Sequence, residues 1–272
     1  MMSLYSFFSS IELGLIYSLM VLGLFISYRI LNIPDLTVDG SFTLGAAVAV
    51  VATLAGHPVL GLLLAALAGA AAGFVTALLQ TRMKIQPILA GIITMTALYS
   101  INLMVMDNKA NLPLAQGESI YHNLPGMLLS GLAAIGVAAV LVLFLQTPAG
   151  LPCVGLSIAN ACVALSGALI AHYNCYAEVR MGIGMVVIGL ASLIVGEIAV
   201  GLLVRRANIL SGAVAAIVGS VLYRLIIAQA LEWNFSSSSL KLITAIIVAM
   251  AMSVPAVKES LRLAKQRRAG MR

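Results

Sequence analysis

The stretch from Asn32 to Gly40 reads Asn-Ile-Pro-Asp-Leu-Thr-Val-Asp-Gly. It places two carboxylates, Asp35 and Asp39, with Asn32 and Thr37, between two strongly apolar segments. Pro34 removes a backbone donor and Gly40 tolerates helix-breaking geometry, so no unbroken helix is expected through it. Irregular backbone at membrane depth is tolerated only where protein or a water-filled cavity satisfies it, which predicts a polar pathway. On that reading Ser41 caps a following half-helix whose amides and positive dipole end face the cavity. The competing reading is a cytoplasmic turn with two solvated aspartates, and the residues alone leave both open.

Two further charges, Glu197 and Arg224, fall inside apolar runs on consecutive helices joined near Arg206. Counting from that turn puts them roughly 13 Å apart along the helix axes at 1.5 Å per residue, too far for direct pairing. Each needs another partner or must snorkel. A second stretch, Glu178-Val-Arg-Met-Gly-Ile-Gly-Met185, again sets charges and glycines just before an apolar run. Transporters often comprise repeated halves with broken helices at corresponding places, and Asn32–Val48 and Glu178–Ile194 fit such a pair. An ordinary loop leading into a span is the alternative.

Other chemistry is not supported. There is no Walker lysine motif, no paired histidine on a helix and no GxSxG elbow, so no enzyme is expected. Cys153, Cys162 and Cys175 lack CxxC spacing, and His57, His122 and His172 are scattered. No disulfide framework, metal site or bound cofactor is expected.

The elements that must position these groups follow from composition. Of 272 residues, 62% are hydrophobic and only 9% charged, against about 25% charged in a soluble domain. Apolar runs recur along the chain, and about 20 apolar residues cross a bilayer. The expected fold is all-α: a polytopic membrane bundle of about eight or nine spans with broken half-helices in two related halves. The expected segments are Glu12–Tyr28, Ser41–Ala55, Val59–Leu79, Pro87–Met106, Leu124–Leu145, Leu151–Ala171, Ile183–Val204, Ile209–Leu231 and Leu240–Val257. One transmembrane domain, 1–257, and a basic tail, 258–272, account for the chain, with no soluble domain between short connections. Gly69-Ala-Ala-Ala-Gly73 is a GxxxG match, read as internal helix packing.

The net charge of +6 does not point to nucleic acid, because the cations cluster in short loops and the tail. With the C-terminus cytoplasmic, alternation puts Arg29, Arg82, Lys84, Arg205, Arg206 and the tail cations inside. The outer side keeps Lys109, Arg180 and Lys241, with Asp107, Glu118, Glu178 and Glu232 nearby.

The run Arg29-Ile-Leu-Asn-Ile-Pro-Asp-Leu-Thr-Val-Asp-Gly-Ser-Phe-Thr-Leu-Gly-Ala-Ala47 resembles the signature of permease subunits of bacterial ABC importers. The branch is that of tryptophan/tyrosine transport permeases, related to branched-chain amino acid and ribose permeases. Further matching runs are Leu89–Asn102, Asn160–Leu169, Met181–Ser192 and Leu240–Ala245, so the resemblance covers almost the whole chain in order. It implies a membrane subunit of an ATP-driven importer for a small solute, an amino acid, with aromatic ones included. It implies a homodimer or pseudo-symmetric pair of permeases in the bacterial cytoplasmic membrane. Two ATP-binding subunits and an extracytoplasmic substrate-binding lipoprotein complete the assembly, with ATP held on the partner.

For the site, the resemblance places Asn32, Asp35, Thr37, Asp39 and Ser41 beside the translocation path. Asn102, Glu178 and Met181 join them. It places ATPase docking after Gln146, Thr147 and Gly150. Relatives carry a longer polar segment there, whereas here Leu151-Pro-Cys follows at once and no charged residue lies between Glu118 and Glu178. Either the docking segment is deleted or another loop substitutes for it, such as Gln80–Gln86 with Arg82 and Lys84. A proton-coupled carrier using Asp35, Asp39 or Glu197, and a scaffold subunit that transports nothing alone, are the competing functions.

Overall fold

The computed structural model describes residues 4–122, 130–136, 152–201, 209–232 and 253. Eight helices appear among them: α1 Leu4–Leu24, α2 Thr37–Leu54, α3 Pro58–Thr81, α4 Pro87–Val105, α5 at 130–136, α6 Pro152–Asn174, α7 Met185–Gly201 and α8 Ile209–Glu232. Six are long and apolar enough to cross a membrane, and Met185–Gly201 is a shorter apolar helix. The expected all-α bundle is therefore the observed one. Most of Leu124–Leu145, Leu240–Val257 and the tail lie outside the described residues.

Local rules explain the helix ends. Pro58, Pro87 and Pro152 open α3, α4 and α6, where the missing amide costs nothing and φ is already helical. Gly56 at φ +87° lets the chain reverse after α2. The end of α1 departs from the expectation: it widens into a π-turn, Phe25–Ile30, before breaking at Leu31–Leu36. Asn32 takes the left-handed conformation at φ 53°, which asparagine tolerates better than most residues.

The core forms where the helices approach closely. α2 packs on α3, α4 and α6, while α1 packs on α6, α7 and α8. Between α2 and α6 the contact is backbone on backbone: a Cβ on Gly45 would meet the Ala164 carbonyl, and one on Gly167 the Phe42 carbonyl. Gly69 and Gly73 of the GxxxG match face Asn160 and Leu156 of α6, so that match is internal packing. α7 and α8 meet in the same manner through Gly196 and Gly219.

One feature outside the all-helical expectation is a two-stranded antiparallel sheet, β1 Asn111–Pro113 with β2 Tyr176–Glu178, in register Asn111↔Glu178. It links the ends of α4 and α6, and its Leu112 and Ala177 pack against Ala46, Ala47 and Val50 of α2.

Candidate functional site

The break between α1 and α2 lies inside the bundle. Thr37, at the start of α2, shares a hydrogen bond with the Thr76 hydroxyl of α3 at 2.8 Å, and Thr76 donates to Thr94 of α4 at 2.9 Å. Asp35 accepts at 2.7 Å from the amide of Asn160 on α6. Thr76, Thr94 and Asn160 lie roughly 8–12 Å inside their own helix ends at 1.5 Å per residue. The reading of Asp35 as a solvated turn residue is thus excluded: its exposure is 0%.

Each buried polar atom here has a reason to be there. Asp35 Oδ1 accepts from the Thr37 amide at 2.9 Å, taking one of the donors that a helix start leaves unpaired. Its Oδ2 takes the Asn160 bond. Asn160 Oδ1 in turn accepts from the Ser41 hydroxyl at 2.7 Å, and its amide also reaches the Leu156 carbonyl at 3.0 Å. Ser41 is therefore not the helix cap expected from sequence. α2 begins four residues earlier, at Thr37, so Ser41 sits within the helix and binds across to α6. The capping role falls to Asp35.

Asp39 does different work. Its carboxylate accepts from the amides of Gly184 at 2.8 Å and Val186 at 2.9 Å, at the start of α7. A negative group at a helix N-terminus meets both the free amides and the positive dipole end. Thr43 reinforces the joint by accepting from the Gly182 amide at 3.1 Å. From β2, level with Ala46–Val50, the chain descends along α2 and starts α7 beside the first turn of α2. The first stretch singled out in the sequence holds the break at 31–36, while the second, at 179–184, is a loop leading from β2 into α7; Asp39 of the first binds Gly184 of the second.

The remaining expected residues separate. Asn102 lies next to the network, its amide reaching the Gly40 carbonyl at 3.3 Å while its Oδ1 is buried without a partner. Met181 is half-buried between two core clusters. Asn32 is exposed past the π-turn, and Glu178 is exposed on β2, away from Asp35. Glu197 and Arg224 do not pair, as expected. Glu197 accepts from Arg29, through Nε to Oε1 at 2.6 Å and through Nη2 to Oε2. Arg224 instead lies over the Tyr17 ring, 3.6 Å from its centroid. Gln146, Thr147 and Gly150 lie outside the described residues. The Thr81 hydroxyl contacts Cys153 Sγ at 3.7 Å, which brings the Arg82–Lys84 turn next to the start of α6.

Sequence reasoning missed Asn160, Thr76 and Thr94. Asn160 carried one available signal, a polar amide in an otherwise apolar run. The two threonines carried none, since an isolated threonine in a span ordinarily bonds its own helix, as Thr53 does to Ala49. Among the described residues no group of three His, Cys, Asp or Glu side chains is placed to hold a metal. An apolar cavity of about 550 Å³ lies between α2, α3 and α4, lined among others by Leu44, Val48, Ala72 and Leu98. Thr94 forms part of that wall, but its hydroxyl is engaged by Ala90 and Thr76. The polar break is closed in this state: Asp35, Thr37, Ser41 and Asn160 are all fully buried.

The comparisons with known proteins agree with this architecture. Residues 6–154 match the family described as branched-chain amino acid transport system, permease component. Over 259 residues the chain is 36% identical to a tyrosine transport system permease protein of Clostridioides difficile (strain R20291), covering 86% of each chain. Over 270 residues it is 32% identical to an uncharacterised protein of Rickettsia prowazekii (strain Madrid E), covering 90% of this chain and 96% of that one. No solved structure matches it significantly. With a family match over more than half its length and a relative above 30% identity across most of it, this multi-pass membrane chain belongs to the branched-chain amino acid transport system permease family.

Proposed function

We propose that the chain is the membrane-spanning subunit of an ABC importer for an amino acid, with aromatic amino acids the foremost substrates. The observation that carries the reading is the interrupted helix pair inside the bundle, where Asp35, Thr37, Ser41 and Asn160 form a polar joint between α2 and α6. Family membership and the 36% identity to a protein named for tyrosine transport support the substrate class. The chain alternates between outward and inward openings, and the path runs beside Asn32, Asp35, Thr37, Asp39 and Ser41, with Asn102, Glu178 and Met181 along it.

Energy comes from a partner. An ATP-binding subunit docks at the end of the bundle that carries Arg29, Arg82 and Lys84. The contact between Thr81 and Cys153 supports a docking face that joins the α3–α4 turn to the start of α6; the resemblance adds Gln146, Thr147 and Gly150 to the docking residues. That end and the basic tail, 258–272, face the cytoplasm, as the lysine and arginine bias favours. An extracytoplasmic substrate-binding lipoprotein delivers the solute on the other side, and two permease copies form the channel. The domain division is 1–257 in the membrane and 258–272 outside it.

The test is reconstitution. The chain is co-purified with an ATP-binding subunit and a binding protein encoded beside it, and tyrosine uptake into proteoliposomes is followed. Uptake that needs ATP and persists with an uncoupler is expected. Uptake that proceeds without the ATPase and collapses with the uncoupler would make Asp35, Asp39 or Glu197 proton carriers instead.

A further inference from the structure

Arg224 places a guanidinium within a membrane span, eight residues before the end of α8. Among the described residues no acidic side chain forms an ion pair with it. α1 and α8 pack closely where Gly14 meets Val221, and Ser220 donates to the Gly14 carbonyl at 2.7 Å. Helical side chains lean towards their own N-terminus, so Arg224 leans away from the nearer end of α8 and reaches Tyr17, one turn beyond Gly14. It does not snorkel to the nearer surface.

Its platform is built from aromatics. The Tyr17 ring is buried and stacks on Phe42 of α2, with centroids 6.0 Å apart and planes 11° from parallel. A cation–π contact offsets only part of the cost of removing a guanidinium from water. Among the described residues two donors stay unused: Arg224 Nε and the hydroxyl of the adjacent Tyr223 are buried with no hydrogen-bond partner. A buried donor without an acceptor is costly, and the planar guanidinium fork matches a carboxylate. The side chain is half-buried rather than sealed.

We propose that Arg224, held over Tyr17, is a binding site for the carboxylate of a small solute. Lipid phosphate is a poorer fit because the guanidinium is directed away from the nearer end of α8. Taken with the proposed function, the solute is the transported amino acid, and that identification rests on that reading; the carboxylate site does not.

The experiment uses the full chain in nanodiscs of phosphatidylcholine, with L-tyrosine and L-tyrosinamide as probes and a wider set of amino acids beside them. Phenylglyoxal labelling of Arg224 in the unmutated protein, read by mass spectrometry, is expected to slow at least threefold with tyrosine and not with the amide. Arg224→Gln is expected to weaken tyrosine binding at least tenfold, Arg224→Lys less, and Tyr17→Leu by an intermediate factor. Equal labelling with and without every carboxylate tested, or equal protection by the amide, overturns the proposal. Protection that instead follows added phosphatidylglycerol makes the occupant a lipid and overturns it too. Protection by another amino acid but not by tyrosine keeps the site and rejects the substrate. Tyrosine uptake that survives Arg224→Gln with unchanged KM and kcat rejects the transported amino acid as the occupant and keeps the importer.

Discussion

Exchanging the two side chains of the Asp35–Asn160 pair tests whether this bond holds α2 to α6. In Asp35→Asn, two amide groups confront one another where a carboxylate accepted from Asn160 at 2.7 Å. A hydrogen bond to a charged group is worth about 1.5–3 kcal/mol net in soluble proteins. Interhelical bonds in a membrane average nearer 0.6, with a maximum of about 1.7 kcal/mol, because the separated helices also find partners. The charged acceptor and complete burial place this bond at the upper end, so about 1.5–2 kcal/mol is expected. At roughly 2–4 °C per kcal/mol for a domain of this size, the single variant melts about 3–8 °C lower. Asn160→Asp sets two carboxylates face to face, and one must hold a proton. Acid supplies that proton, so its loss is smaller at pH 5 than at pH 8. The double exchange restores the geometry with the roles reversed. The amide introduced at position 35 donates to the carboxylate introduced on α6, and that carboxylate still accepts from Ser41, at the expense of the bond to the Leu156 carbonyl. Thermal unfolding in detergent, followed by labelling of the buried Cys162 in a background without Cys153 and Cys175, gives the melting temperatures. Recovery to within about 3 °C of the unmutated chain is expected. Additive losses in the double variant would refute the bond as the joint.

Four further outcomes follow from the packing and the hydrogen bonds. Gly167→Ala puts a Cβ against the Phe42 carbonyl, and is expected to cost about 1–3 kcal/mol or abolish monodisperse protein. Gly117→Ala, with nothing within 4 Å, is expected to stay within about 0.5 kcal/mol, as size-exclusion profiles would show. Asp39→Ala removes the acceptor for two amides and should cost about 1 kcal/mol; hydrogen exchange should accelerate at 184–188 and not in α4. Arg29→Glu and Glu197→Arg, with side chains 54% and 28% exposed, should each shift stability by less than about 1 kcal/mol, with the double reversal restoring it at low salt only.

Within the described residues the segments that hydropathy marks are those the helices occupy, because burial in lipid demands long apolar runs whatever the partners. Pro58, Pro87 and Pro152 fix three starts for a purely local reason. Pro34 likewise made the α1–α2 break legible. What decides the site is not local. Asn160 lies 125 residues from Asp35, and its bond depends on α2 and α6 meeting at Gly45 and Gly167. The error over Ser41 has the same origin: with Asp35 capping Thr37, the helix can begin before the serine. The π-turn at Phe25–Ile30 and the pairing of β1 with β2 left no mark in composition, since three-residue strands carry too little periodicity to read.

Asp35, Asp39 and Arg29 together constrain how the bundle can move. α7 is held near its start by Asp39 and towards its end by Arg29, and the segment between those residues carries Asp35, bound to α6. A shift of α7 against α6 must therefore break one of these three joints. The Arg29–Glu197 pair is half-exposed, and pairs of that kind are worth under about 1 kcal/mol. The Asp39 cap, with two amides, is worth about 1–2 kcal/mol by analogy with other helix caps. The Asp35–Asn160 bond, fully buried and with a charged acceptor, sits at about 1.5–2 kcal/mol. The ordering makes Arg29–Glu197 the joint that yields first. A pivot of α7 about its start, with α2 still docked on α6, is therefore the expected first movement, and cross-linking Arg29→Cys to Glu197→Cys should block it without touching the polar break.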